Sequence, residues 1–173
     1  MSSAAPRMVD ALSAGQLRLR ALTVEDATEL HQLIFSDPAT HTIGTGPFTE
    51  ITQTREWLTR RESRRKRHGV TWYSARADTD SLIGIAGLSY GRTGTEPEFG
   101  FEIRHEFQRQ GHGGSLATTV VAEAHRAGFA RVWATVRPHN AASLRVLARV
   151  GFIQDRVGSD DRGDLVYLLH EAS

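Results

Sequence analysis

The chain has 173 residues, of which 39% are hydrophobic and 24% charged, enough for one domain with a sizeable core. A formal net charge of +1 gives no global reason to expect nucleic acid, and the lack of cysteine excludes disulfides, a thiol nucleophile and cysteine-based metal sites. No uncharged apolar run approaches the roughly 18 residues of a membrane span, and the opening residues lack a signal peptide's apolar region, so a cytoplasmic protein with no membrane contact is expected.

Residues 1–15 are small, polar and aperiodic and read as a flexible tail, leaving 16–170 for the domain. Gln16-Leu17-Arg18-Leu19-Arg20 alternates with period two, as a half-buried strand does. Thr23 then reads as the N-cap of a helix with Glu25 and Asp26 in its first turn; Leu30, Leu33 and Ile34 are its apolar stripe and Asp37-Pro38 its stop. Residues 38–49 form a loop, and Thr52 to Arg67 a second helix anchored by Trp57 and Leu58. The tail of that helix, Arg60-Arg61-Glu62-Ser63-Arg64-Arg65-Lys66-Arg67, is the conspicuous charge run. It reads either as a solvated helix end whose cations complement the dipole or as a contact for an acidic partner. No interleaved aromatic residues offer bases a stacking platform, so nucleic acid is not the expected partner.

Val70–Arg76 and Leu82–Tyr90 read as strands joined by a turn at Asp78-Thr79-Asp80, and Thr93 to Pro97 as a further turn. The strand Glu98–Ile103 leads into Gln108-Arg109-Gln110-Gly111-His112-Gly113-Gly114-Ser115, which opens a helix over Ser115–Ala127 capped by Gly128. Arg131–Val136 is a strand, Pro138-His139-Asn140 a turn, and Ala141–Arg149 a short helix closed by Gly151-Phe152. Strands near Ile153–Val157 and Asp164–Leu169 flank a polar turn from Gly158 to Gly163. The order is mixed α/β, with about seven strands and about four helices in one domain. The helix between the fourth and fifth strands requires a crossover if those strands are parallel neighbours.

A glycine-rich turn between strand and helix aims backbone N–H groups at the positive end of the helix dipole, a cradle for phosphate. Gly111, Gly113 and Gly114 lack a Cβ, so they can adopt positive φ and admit an anion closely. The run lacks the lysine of a P-loop and the spacing of a dinucleotide fingerprint. It fits Gln/Arg-x-x-Gly-x-Gly/Ala from Gln108, and so resembles the acetyl-CoA-binding motif of the GNAT superfamily of N-acetyltransferases. Asn140-Ala141-Ala142-Ser143 through Gly151-Phe152 resembles the Asn-x-x-Ser…Gly-Phe signature of the Rim-type (RimJ/RimL-like) branch, named for ribosomal-protein N-terminal acetyltransferases. The resemblance runs from about Leu17 to Leu169.

It implies a GNAT-like mixed sheet splayed between its fourth and fifth strands, with pantetheine adding along the fourth by amide hydrogen bonds. Acetyl-CoA would be held by the backbone of Gln108, Arg109, Gln110, Gly111, His112, Gly113, Gly114 and Ser115 and by Ile103 and Arg104, with the N–H near Ile103 polarising the thioester carbonyl. Arg109 either pairs with a phosphate or is an exposed charge beside the loop. Asn140 reads as an N-cap, and the resemblance adds a contact to pantetheine. Many members place a tyrosine seven residues after this asparagine to meet the leaving thiolate; here that residue is Leu147. In the Rim-type branch a serine three residues after it is the proposed substitute, which is Ser143, although a serine there also caps helices.

Glu98 and Glu102 share one strand face and could accept the amine's proton directly or through water. The alternative is pairing with arginines at the sheet surface, and the family parallel favours Glu98. His105, His112 and His139 read as loop residues, and no histidine spacing suggests a metal. An α-amine has a pKa near 7.7–8.0 and a lysine about 10.4, so an enzyme with a weak base manages the former more readily. The expectation is a direct transfer of acetyl from acetyl-CoA to a primary amine, preferably a peptide or protein N-terminus. A small amine acceptor and a non-catalytic CoA-binding module are the alternatives, and the family's frequent dimers leave a homodimer open.

Overall fold

Alternation buries Leu17, Leu19 and Ala21 and exposes Arg18 and Arg20, and this strand pairs antiparallel with an unanticipated one, Ala11–Ala14. The structure, a computed structural model, describes residues 5–40 and 46–173. Its strands are β1 (Ala11–Ala14), β2 (Leu17–Ala21), β3 (Trp72–Arg76), β4 (Leu82–Ser89), β5 (Glu98–Ile103), β6 (Arg131–Val136), β7 (Ile153–Asp160) and β8 (Gly163–Glu171). They form one mixed sheet in the order β1-β2-β3-β4-β5-β6-β8-β7, in which only β5 and β6 run parallel. Eight strands therefore stand where about seven were expected.

The reading of residues 1–15 as a flexible tail is corrected for the part described. Met8 is 2% exposed, and its N–H donates to the Gly69 carbonyl at 2.9 Å. The Val9 N–H donates to Glu123 at 2.7 Å, and the Tyr73 hydroxyl donates to the Val9 carbonyl at 2.7 Å. Asp10 pairs with Arg65. The buried Glu123 carboxylate is held ionised: burial raises its pKa, but hydrogen bonds from Arg126 and Val9 outweigh that and bring it below the usual value. These partners come from other elements, so no local periodicity announces the strand.

α1 (Ala27–Leu30) is the middle of a continuous helical run, with a 3-10 turn at Val24–Asp26 before it and a π turn at His31–Phe35 after it. Thr23 is the N-cap as expected, its N–H bonded to Asp26 at 2.8 Å. α2 (Ile51–His68) packs Leu58 with Leu30, Ile34, Phe35, Leu82 and Ile85 on one side of the sheet. α3 (His112–Ala127) and α4 (Ala141–Val150) cover the other, where Leu116, Val120, Val121, Ala124 and Leu147 join the main core. Both end on left-handed glycines, Gly128 and Gly151. Residues 41–45 of the loop read at 38–49 lie outside the described residues, as do residues 1–4.

The basic end of α2 is more than a solvated face. Glu62 accepts the Val24 N–H at 3.2 Å, Arg65 pairs with Asp10, and Arg61 stacks on two indoles. No described helix is long and apolar enough to cross a membrane.

Candidate functional site

β5 and β6 meet at one end and part at the other. Their single registered pair is Glu98 with Trp133, and the Trp133 N–H donates to the Pro97 carbonyl at 2.9 Å. Beyond it β5 stays paired with β4, and β6 with β8. The Arg104 N–H donates to the Ile83 carbonyl on the β4 side at 2.9 Å, so strand alternation turns the N–H of Phe101 and Ile103 towards the gap. The splay expected between the fourth and fifth strands is this gap, now between β5 and β6.

The glycine turn lies at the open end. A 3-10 turn, His105–Phe107, leaves β5, and Arg109 and Gly111 take left-handed conformations with φ of 59° and 82°. α3 then starts at His112, three residues before the expected Ser115, with no side-chain cap. Its first helical bond runs from the Ser115 N–H to the Gly111 carbonyl at 3.2 Å. The N–H groups of Gly111, His112, Gly113 and Gly114 meet no acceptor among the described residues. Four uncapped donors at the positive end of a sixteen-residue helix suit a diphosphate.

The three glycines do different work. Of the three, Gly111 adopts the positive φ that glycine permits. A Cβ on Gly113 would stand 3.0 Å from the Phe101 ring, so Gly113 lets α3 lie against β5. A Cβ on Gly114 would meet nothing within 4 Å.

Some of the expected cofactor contacts are already taken within the chain. Gln108 donates its N–H to His105 at 3.3 Å and its side-chain amide to the Ile103 carbonyl at 3.0 Å, so it braces the strand exit. Arg104 is likewise committed: its carbonyl accepts the Phe107 N–H at 2.8 Å, and its guanidinium meets the Leu82 carbonyl at 2.9 Å and pairs with Glu106. Gln110 donates its side-chain amide to the Glu106 carbonyl at 3.3 Å, and Arg109 is exposed beside the turn. His112 and Ser115 face a cavity of about 500 Å³ between the turn, the β1–β2 connection and the β3–β4 connection.

Asn140 is the N-cap of α4: its side-chain oxygen accepts the Ser143 N–H at 3.2 Å. That cap places Ser143 half-buried in the first turn after β6. Leu147 is 2% exposed inside the core between α3, α4 and the sheet, so this position offers no acid.

Glu98 sits where the strands begin to part, on the sheet face opposite α3 and α4. Its carboxylate accepts the Thr135 hydroxyl from β6 and lies 3.9 Å from Arg92. Burial raises its pKa above the usual carboxylate value, against the opposing pull of Thr135 and Arg92. A carboxylate whose side chain is only 14% exposed, with a raised pKa, is suited to take a proton from an amine. Glu102 is on the same face. Sequence reasoning did not find Thr135 or Arg92; a threonine on the facing strand carries no local signal. His105 is fixed through its N–H, which donates to the Thr40 hydroxyl at 3.0 Å, and His139 lies in the exposed turn before α4. No group of three metal-ligating side chains occurs among the described residues.

A family model described as an acetyltransferase (GNAT) domain matches residues 16–153. An uncharacterized N-acetyltransferase of Bacillus subtilis strain 168, YoaA, is 29% identical over 153 residues, covering 87% of this chain and 86% of that one. Among solved structures, RimL, a ribosomal L7/L12 α-N-protein acetyltransferase in complex with coenzyme A, superposes with a TM-score of 0.82 at 18% identity, covering 93% of this chain and 97% of that one. An acetyltransferase from Salmonella typhimurium that modifies the N-terminal serine of L7/L12 has a TM-score of 0.81 at 18% identity, with coverages of 94% and 99%.

Proposed function

Because the chain belongs to the GNAT acetyltransferase family, we propose that it transfers acetyl from acetyl-CoA to the free α-amine of a peptide or protein in the cytoplasm, as Rim-type members do. The observation that carries this reading is the gap between β5 and β6, with the four uncapped N–H groups of α3 at its open end and the buried carboxylate of Glu98 at its closed end. Bound acetyl-CoA supplies an activated thioester acyl group. The N–H groups of Gly111 to Gly114 hold its diphosphate, and the Phe101 and Ile103 edge of β5 bonds the pantetheine amides. Arg104 and Gln108 brace that edge rather than touch the ligand. Glu98 takes the proton of the attacking amine, and Thr135 holds the carboxylate in place. The Ser143 hydroxyl is the donor for the leaving sulfur, oriented by the cap that Asn140 makes.

An α-amine with a pKa near 7.7–8.0 is roughly a tenth neutral at pH 7, so one carboxylate of raised pKa suffices as base. The RimL and Salmonella relatives act on a ribosomal protein's N-terminus, which supports a peptide acceptor. The test is acetyl-CoA-dependent thiol release across peptides with free N-termini, the same peptides with blocked N-termini, polyamines and aminoglycosides. Release that disappears when the α-amine is blocked is the expected result. Release with small amines alone would move the acceptor to metabolism or resistance, and coenzyme A binding without release from any acceptor would favour a non-catalytic module.

A further inference from the structure

On the Glu98 face, Gly87 of β4 and Gly100 of β5 make a bed for one indole. A Cβ on Gly87 would stand 2.5 Å from Trp72 Cγ, and one on Gly100 would stand 3.1 Å from Trp72 Cη2. Trp72 therefore lies across both strands, with Gly100 two residues from Glu98 on the same face. Trp57 of α2 meets it edge-on at 5.1 Å between ring centroids. One helical turn further along α2, the Arg61 guanidinium lies 4.4 Å from the Trp57 ring centroid and 5.7 Å from that of Trp72.

Arg61 has no counter-ion among the described residues. Nearly every other arginine drawn into this face has one: Arg76 pairs with Glu29, Arg92 with Glu98 and Asp160, and Arg137 with Asp160. Arg61 makes no hydrogen bond or ion pair with a described residue, and its Nε is buried without a partner, as is Nε1 of Trp72. Arg60 and Arg64 add like charge, and with burial, the larger effect, they bring the Arg61 pKa down to about 10, so it remains a cation at neutral pH. A guanidinium withdrawn from water is stable when a carboxylate or phosphate meets it. Stacking on two indoles holds its plane still and leaves its donors unmatched, ready for a bidentate acid.

We propose that Arg61, laid on Trp57 and Trp72, is the acceptor-specificity residue of this enzyme and binds a carboxylate of the acceptor, an acidic side chain close to the amine being acetylated. The inference rests on the α-amine reading above. The Trp72 indole spans the space from Gly100, beside Glu98, to Arg61. An extended peptide advances about 3.5 Å per residue, so the residues that follow closest on an amine at Glu98, the second and third, are the candidates to reach the guanidinium. The basic side chains in the C-terminal half of α2 draw such a peptide in.

The experiment compares peptides with a free α-amine that differ only in Asp or Asn, and in Glu or Gln, at positions two and three. The parent, Arg61→Gln and Arg61→Lys are each assayed for thiol release and for peptide binding to the coenzyme A complex by titration calorimetry. The parent is expected to favour the acidic peptides at least tenfold in kcat/KM. Arg61→Gln brings that ratio close to one by weakening only the acidic peptides, and Arg61→Lys keeps part of it. Coenzyme A affinity and the thermal midpoint of each variant report whether the fold is intact. Equal treatment of acidic and neutral peptides by the parent, or equal losses on both in Arg61→Gln, overturns the assignment. If blocked and free peptides behave alike, the α-amine reading has failed instead, and the same ratio measured on an amino acid and its amide decides whether Arg61 still reads a carboxylate.

Discussion

Two substitutions three residues apart should act in opposite directions. At Gly111 φ is 82°, and a Cβ there would meet nothing within 4 Å, so the penalty for Gly111→Ala is torsional rather than steric. A left-handed non-glycine residue costs roughly 1–2 kcal/mol, offset by about 0.4–1 kcal/mol from the stiffer unfolded chain. The net loss is on the order of 1 kcal/mol, or about 2–4 °C in thermal midpoint for a domain of this size. If the backbone instead relaxes to negative φ, the N–H groups of the first turn of α3 swing off the diphosphate. A misdirected hydrogen bond to a charged group costs about 1.5–3 kcal/mol, tenfold or more in affinity. At Gly114 neither constraint applies, since φ is ordinary for a helix and the added methyl meets open space. Gly114→Ala should therefore stabilise the protein by about 0.5–1 kcal/mol with little change in coenzyme A affinity. Thermal unfolding of the ligand-free protein and titration calorimetry with coenzyme A measure both quantities. Unchanged affinity and stability in Gly111→Ala would refute the claim that a left-handed residue here aims the N–H groups.

Glu98→Gln should lower kcat/KM by about 10²–10⁴-fold. In the parent, kcat/KM should fall as pH drops through a Glu98 pKa above the ordinary value, an acid limb that the variant lacks. A raised folded-state pKa means that Glu98 favours the folded state most when protonated and loses this as pH rises through that pKa; Glu98→Gln should therefore not lower the thermal midpoint at neutral pH. Leu147→Tyr should supply no missing acid: it overpacks a site that is 2% exposed, costing about 1–3 kcal/mol in denaturant unfolding without raising turnover. Glu123→Ala leaves the Val9 N–H without its acceptor and should cost about 1–3 kcal/mol, with faster amide exchange at residues 8–14. Because hydrogen bonds hold the Glu123 pKa below its ordinary value despite burial, its contribution is present above the unfolded-state pKa. It is lost as pH falls through the folded one, and a stability advantage of the parent over the variant that persists undiminished in acid would contradict it.

The sequence by itself determined whatever rests on neighbours along the chain. Alternation set β2, glycines stopped α3 and α4, and a turn followed by a helix marked the anion cradle; each depends on residues within one or two turns. The capping asparagine was legible for the same reason, as was the absence of a tyrosine at Leu147. Tertiary structure alone decided which polar groups meet. Val9 and Glu123 are 114 residues apart, and Glu98 and Thr135 are 37 apart, so neither pairing leaves a local trace. The short strand Ala11–Ala14 pairs with β2, and Tyr73, Arg65 and Glu123, all distant in sequence, hold the residues before it. Arg61 looked like one cation in a run of six until α2 was laid against Trp72 of β3. The physical reason is common to these cases: burial and pairing are properties of the surface a side chain lands on, and that surface is assembled from distant segments.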